Sequence, residues 1–209
     1  MTVDPTLILP DRQTASCIDD HRDRELMTGI QARDVGAFEM LYSAFYHRLS
    51  RFIFQATRQP DMVEDVINET MLVVWEKPET FDYTCKVSTW IFGIAYRKAL
   101  KASAKQARSA HAVPIDEFGE ELADNRASPA RQVEGEDLLS VALDSLPQEQ
   151  RAVIELTFGH GLRYQEIAAI LDCPENTVKT RMFHARKRLQ TLFNELTPEL
   201  MDPSEEDMS

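Results

Sequence analysis

The chain has 209 residues, the length of one ordinary domain or two small ones. With 43% hydrophobic residues it can bury a core, and its 7 glycines and 10 prolines exclude a collagen-like or low-complexity protein. Its 35 acidic against 23 basic residues leave a formal net charge of −12, which, taken whole, argues against a nucleic-acid binder. No apolar run approaches the roughly 18–20 residues needed to span a bilayer, so no membrane insertion is expected. The acidic N-terminus does not read as a signal peptide. Cys17, Cys85 and Cys173 form no C-x-x-C pair, which predicts inert thiols in a reducing compartment, the cytoplasm, and no zinc site.

The distribution of charge says more than its total. Residues 1–40, 111–137 and 194–209 carry net charges of −4, −6 and −6, whereas residues 41–110 carry +3 and residues 138–193 carry +1. The chain accordingly divides into an acidic N-terminal tail (1–25), a first module (26–108), an acidic linker (109–137), a second module (138–193) and an acidic C-terminal tail (194–209).

In chain order, Phe38, Leu41, Tyr42, Phe45, Leu49 and Phe52 recur at helical spacing and predict a first amphipathic helix. A second is expected to begin at Pro60-Asp61, with Glu64 as capping-box partner and Val63, Val66, Ile67, Met71 and Val74 on its apolar face. Lys77-Pro78 ends it. After a connection over residues 79–87, a long helix is predicted from about Ser88 to Arg108. Residues 109–137 have no helical period and read as a mobile linker, with a fully extended reach of about 100 Å. The second module opens with a helix over Leu138–Leu146. Another follows from Pro147, broken by Gly159-His160-Gly161. A short helix, Tyr164–Leu171, then a tight turn at Asp172-Cys173-Pro174 and a basic helix, Glu175–Gln190, make a helix-turn-helix pattern. With no hairpin signal and no sustained period-two run, the fold class is all-α: two small helical domains joined by a flexible linker.

Two helices concentrate basic residues. On the last, Val178, Met182, Ala185 and Leu189 turn inward, leaving Asn176, Lys179, Thr180, Phe183 and Lys187 outward. That combination suits base edges, thymine methyls and phosphates. A solvated basic face is the bland alternative, and the preceding short helix and turn disfavour it. The third helix of the first module carries Arg97, Lys101, Lys105 and Arg108 at steps of four, four and three, with Lys98 beside them. Trp90, Phe92 and Tyr96 are interleaved and could stack on unpaired bases, but a core role is the stronger reading for Trp90 and Phe92. No catalytic, metal or cofactor site is expected: the histidines, including His160 and His184, have no ligand partners at suitable spacing. Gly159-His160-Gly161 is too short for a phosphate loop.

Taken together, residues 37–104 and 138–192 resemble the two conserved regions of bacterial RNA polymerase sigma factors of the extracytoplasmic-function type. Phe38-Glu39-Met40-Leu41-Tyr42 resembles the opening helix of sigma region 2, and Glu64 to Met71 its polymerase-binding helix. Thr89 to Ala95 resembles the promoter-melting helix. Leu146-Pro147, Gln165 to Ala168 and Thr177 to Arg181 resemble region 4. The resemblance implies a dissociable initiation subunit, not an enzyme. Asp65, Asn68, Glu69 and Leu72 would dock on core RNA polymerase. The loop Phe81 to Ser88, with Lys86, and the helix bearing Trp90, Arg97, Lys98 and Lys101 would capture and open the minus-ten element of promoter DNA. Asn176, Thr177, Lys179, Thr180, Phe183 and His184 would read the minus-thirty-five element, with Arg181 and Arg186 nearer phosphates. An anti-sigma factor would restrain the activity.

The sequence departs from the family pattern in places. Lys98 and Lys101 stand where the family usually has Asn and Asp, and Asn68 replaces a usual Gln. Arg163 replaces a Ser or Thr N-cap, an expected loss of about 1 kcal/mol. Two other functions fit parts of the pattern: a sigma-like decoy that only titrates an anti-sigma protein, and a conventional helix-turn-helix regulator. Both basic faces disfavour the first, and the lack of a sensor pattern disfavours the second.

Overall fold

A computed structural model describes residues 12–111 and 135–196. The remainder of the expected tails and most of the linker lie outside the described residues. The described helices are α1 (Arg12–Gln31), α2 (Val35–Thr57), α3 (Val63–Glu76), α4 (Val87–His111), α5 (Gly135–Asp144), α6 (Gln148–Ile154), α7 (Tyr164–Leu171) and α8 (Glu175–Leu196). Among the described residues there is no strand.

α2 forms where its apolar spacing predicts. Asp34 caps its start, its carboxylate accepting from the backbone N–H of Gly36 at 2.8 Å and Ala37 at 3.4 Å. Leu41, Phe45, Leu49 and Phe52 are fully buried along one face. The helix stops at Arg58, whose left-handed backbone (φ 57°) lets its N–H reach the Phe54 carbonyl at 2.7 Å.

The start of α3 differs from the expected capping box. Pro60–Met62 form a 3₁₀ turn, and Met62 occupies the N-cap with helical backbone angles and no side-chain acceptor. Glu64 instead accepts the Tyr46 hydroxyl of α2. A second 3₁₀ turn, Pro78–Thr80, leads into the loop before α4. Composition places residues 1–25 in an acidic tail, whereas α1 starts at Arg12. Leu26, Met27 and Ile30 are the buried apolar residues among residues 20–31 of α1, too short a face to register as a helical period.

α4 and α8 overrun their predicted ends, to His111 and Leu196, and α5 starts at Gly135. α6 widens after Ile154 into a π turn over Glu155–Gly159, with the His160 N–H donating to the Glu155 carbonyl at 3.1 Å. Gly159 leaves room for the Glu155 carboxylate, which a Cβ there would displace. Gly161 then turns the chain at φ 65°. Arg163 is the N-cap of α7, and its backbone N–H donates to the Glu166 carboxylate at 2.8 Å, one half of a capping box. An arginine side chain has no acceptor and cannot supply the other half. Asp172, left-handed at φ 50°, ends α7 and makes the predicted turn into α8.

The apolar core runs without a break from α1–α4 into α6–α8. α7 packs on α4, and α6 packs on α2. The two modules are therefore closed on each other.

Candidate nucleic-acid and protein interfaces

On α3, Asp65, Asn68, Glu69 and Leu72 all lie on the exposed face, with Leu72 52% accessible. Beside them, Val35, Phe38, Tyr42, Met71 and Trp75 line a groove of about 390 Å³ between α2 and α3. Phe38 packs on Trp75 at 5.2 Å between ring centroids, and the Tyr42 hydroxyl donates to Asn68 Oδ1 at 3.4 Å. Lys98 of α4 pairs with Glu69 at 2.9 Å, and that hydrogen bond holds the Glu69 carboxyl below its ordinary range. An apolar groove on a helix that also exposes Asp65 and Glu69 suits a protein partner presenting apolar and cationic side chains.

The minus-ten candidates divide by burial. Arg97 and Lys101 project from α4 into solvent, while Lys86, Ser88, Trp90 and Lys98 are half-buried. Phe81 is buried beneath Trp90 and Tyr83, with ring centroids 5.3 and 4.6 Å away, so it supports that surface from behind. Phe92 and Tyr96 are core residues. For Phe92 this matches the sequence reading; Trp90, half-buried, keeps part of its ring accessible.

α7, the turn and α8 form the helix-turn-helix. Val178, Met182 and Ala185 are buried as expected, and Leu189 is half-buried. Asn176, Lys179, Thr180, Phe183, His184, Arg186 and Lys187 are exposed, with Phe183 63% accessible. Thr177 is half-buried. The Thr180 hydroxyl donates to the Asn176 carbonyl at 2.9 Å, and Lys179 pairs with Glu175 at 2.8 Å. Arg181 points elsewhere. It pairs with Glu149 of α6 at 2.7 Å and reaches the Cys173 sulfur at 3.6 Å, tying the helix-turn-helix together.

A further set of contacts, which the sequence does not foreshadow, joins the two modules. Arg51 Nε lies 2.7 Å from Glu155 Oε1, Arg58 Nε 2.7 Å from Asp144 Oδ1, and Lys86 Nζ 2.7 Å from Glu166 Oε1. Arg151 donates to the Ala56 carbonyl at 3.4 Å. The His160 ring packs against the Phe92–Phe52 pair, 4.7 Å from Phe92 and 6.3 Å from Phe52 between ring centroids. Burial, with the Arg48 and Arg51 charges adding to it, pushes the His160 imidazole down to about 4. Burial also pushes the Glu155 carboxyl up, against the pull of Arg51. In sequence these are ordinary charged residues on amphipathic helices. Their pairing depends on how the modules dock, which no local period encodes.

Among the described residues, no cluster of three or more His, Cys, Asp or Glu could hold a metal ion. No described helix is long and apolar enough to cross a membrane.

Comparison with known proteins matches the chain in two stretches. The family model for sigma-70 region 2 matches residues 41–109, and that for sigma-70 region 4 matches residues 136–189. The chain is 28% identical over 176 residues to the ECF RNA polymerase sigma-E factor of Salmonella typhimurium, covering 80% of this chain and 92% of that protein. It is 27% identical over 154 residues to the ECF RNA polymerase sigma factor SigM of Bacillus subtilis, covering 74% and 93%. Among solved structures, the sigma factor RpoE of Bartonella quintana, in complex with the anti-sigma factor NepR, superposes with a TM-score of 0.61. That match has 27% identity and covers 77% of this chain and 98% of RpoE. CnrH, in complex with the cytosolic domain of CnrY, shares the fold at a TM-score of 0.61 and 21% identity. The two region models lie in order and together span more than half of the residues, so the chain belongs to the sigma-70 family, as an extracytoplasmic-function sigma factor that directs RNA polymerase to promoters.

Proposed function

We propose that three surfaces divide the work of this sigma factor. The exposed acidic and apolar face of α3, with Asp65, Asn68, Glu69 and Leu72, takes core polymerase. The loop before α4, with Lys86, Ser88 and Trp90, and the cations Arg97, Lys98 and Lys101 take the minus-ten element as it opens. The outer face of α8, with Asn176, Lys179, Thr180, Phe183, His184 and Arg186, reads the minus-thirty-five element, with Thr177 at its edge. Arg181 serves as an internal strut. The observation that carries this reading is the outer face of α8: polar and aromatic side chains at its start, cations further along, on the second helix of a helix-turn-helix.

An anti-sigma factor restrains the protein in the cytoplasm. Support comes from the similarity to RpoE, whose structure holds NepR. A decoy that only titrates such a partner would have no need of either basic face.

Transcription reconstituted with core polymerase and this chain is expected to start at discrete genomic sites; no initiation from any genomic template overturns the reading. Substituting Lys179→Ala with Thr180→Ala should weaken upstream-element recognition by about 1–3 kcal/mol at fixed salt. An unchanged promoter preference refutes the role of those two residues.

A further inference from the structure

α1 lies outside both family-matched stretches, which begin at residue 41, yet it holds the loop that leads into α4. The Arg24 guanidinium donates from Nη2 to the Cys85 carbonyl at 2.8 Å and from Nη1 to the Tyr83 carbonyl at 3.3 Å. Its Nε donates to Asp20 Oδ2 at 2.8 Å. The other oxygen of the same carboxylate, Asp20 Oδ1, accepts from the backbone N–H of Val87 at 3.2 Å. Val87 is the first residue of α4, so Asp20 supplies that helix with an N-terminal acceptor from a distant element. One side-chain pair therefore fastens the loop at Tyr83, at Cys85 and at the helix start.

The loop needs such fastening. Tyr83 adopts a left-handed backbone at φ 61°, which is costly for a residue with a bulky side chain. Its conformation is over-determined by α1: its hydroxyl donates to Gln31 Oε1 at 3.0 Å and lies 3.3 Å from Thr28 Oγ1. The Arg24 guanidinium lies 5.8 Å from the Tyr83 ring centroid. Asp82 closes a tight turn by accepting from the Thr84 N–H at 3.0 Å and from its hydroxyl. A loop without repetitive hydrogen bonding otherwise has to be ordered when DNA binds. Ordering a single backbone residue has a cost comparable to about a tenfold change in affinity.

We propose that Arg24 and Asp20 are positioning residues for minus-ten recognition, holding residues 83–87 in the shape that presents Lys86, Ser88 and Trp90 to the opened strand. This rests on the reading of that loop as the minus-ten surface. Neither residue touches DNA; both act through the backbone.

The test uses holoenzyme assembled from core polymerase and the full chain. Its probe is a fluorescent single-stranded oligonucleotide carrying the minus-ten element of a promoter mapped by transcription in vitro. Arg24→Ala and Asp20→Ala should each weaken oligonucleotide binding about tenfold, with core polymerase affinity unchanged. Arg24→Lys keeps the charge but not the two-pronged geometry and should fall between. If Arg24→Ala prevents folding, Arg24→Lys and Asp20→Asn carry the test. Oligonucleotide binding that stays at the unsubstituted value in these variants, while Lys86→Ala and Trp90→Ala lose it, overturns the positioning role alone. If Lys86→Ala and Trp90→Ala also leave binding intact, the loop is not the minus-ten surface and both readings fall. A parallel loss of thermal stability, core affinity and oligonucleotide binding marks a general folding role and also overturns the proposal.

Discussion

His160 is carried by the π turn into a cage of Phe52, Phe92 and the Arg48 and Arg51 charges, with its side chain 4% exposed. Its value of about 4 in the folded protein lies below the roughly 6.5 of a free imidazole. The contribution of the neutral ring is therefore whole above about pH 6.5 and is lost as pH falls towards 4. Glu155 works in the opposite sense: burial raises its carboxyl, so the cost of its charge is relieved as pH drops through that raised range. Urea unfolding should show His160 removing about 2 kcal/mol of stability between pH 7 and pH 5. A His160→Gln variant, uncharged at every pH, should have a visibly flatter profile across that window. Equal slopes for the two proteins would show that His160 is not buried as a neutral ring. Nothing in the local sequence marks His160 for this role, since a histidine between two glycines reads as a loop residue until its aromatic neighbours arrive from α2 and α4.

At the scale of elements, the helices that were legible are those whose stability comes from a long apolar stripe. Val63 to Val74 and Val178 to Ala185 bury the residues their spacing predicts. Their ends were less legible, because termini depend on single hydrogen bonds rather than on a pattern. The Asp34 cap of α2 is one such bond pair, and Asp34→Ala should cost about 1 kcal/mol in urea or thermal unfolding without changing the fold. A change within error would show that solvent satisfies those N–H groups equally well. Glu64 shows the converse. Its spacing from Pro60-Asp61 fits a capping box, but the proline-led 3₁₀ turn removes the acceptor geometry and Tyr46 takes the carboxylate. α1 leaves little trace in the apolar pattern because its hold on the protein is polar as much as apolar. Asp20, Arg24, Thr28 and Gln31 bind backbone and tyrosine groups 47 to 67 residues away.

For the whole molecule, the question is how two DNA readers coexist in a closed chain. Minus-ten and minus-thirty-five elements stand about 25 base pairs apart, or about 85 Å of B-form duplex. Because α7 packs on α4 and α8 packs on α7, the two proposed reading helices are separated by two helix-packing distances of roughly 8–10 Å each, far less than that span. Under the proposed reading the modules must part when promoter DNA is bound. Arg51→Ala should favour parting, because it leaves the Glu155 carboxylate, 8% exposed, without its cation. We expect about 1–3 kcal/mol of lost stability and a larger radius of gyration in solution scattering; an unchanged radius and urea midpoint would show that the pair does not hold the modules together. What the sequence by itself determined is the all-α class, the helix-turn-helix, the outward face of α8 and the split of a −12 chain into acidic ends and basic helices. These follow from periodicity and composition, which are local properties. Only the tertiary structure decided that Arg181 braces α6 rather than projecting outward, that Phe81 lies beneath the surface, that Glu166 reaches Lys86, and that α1 fastens the loop before α4. Each depends on which charged or aromatic groups meet across distant segments, and helical spacing cannot specify partners that belong to another helix.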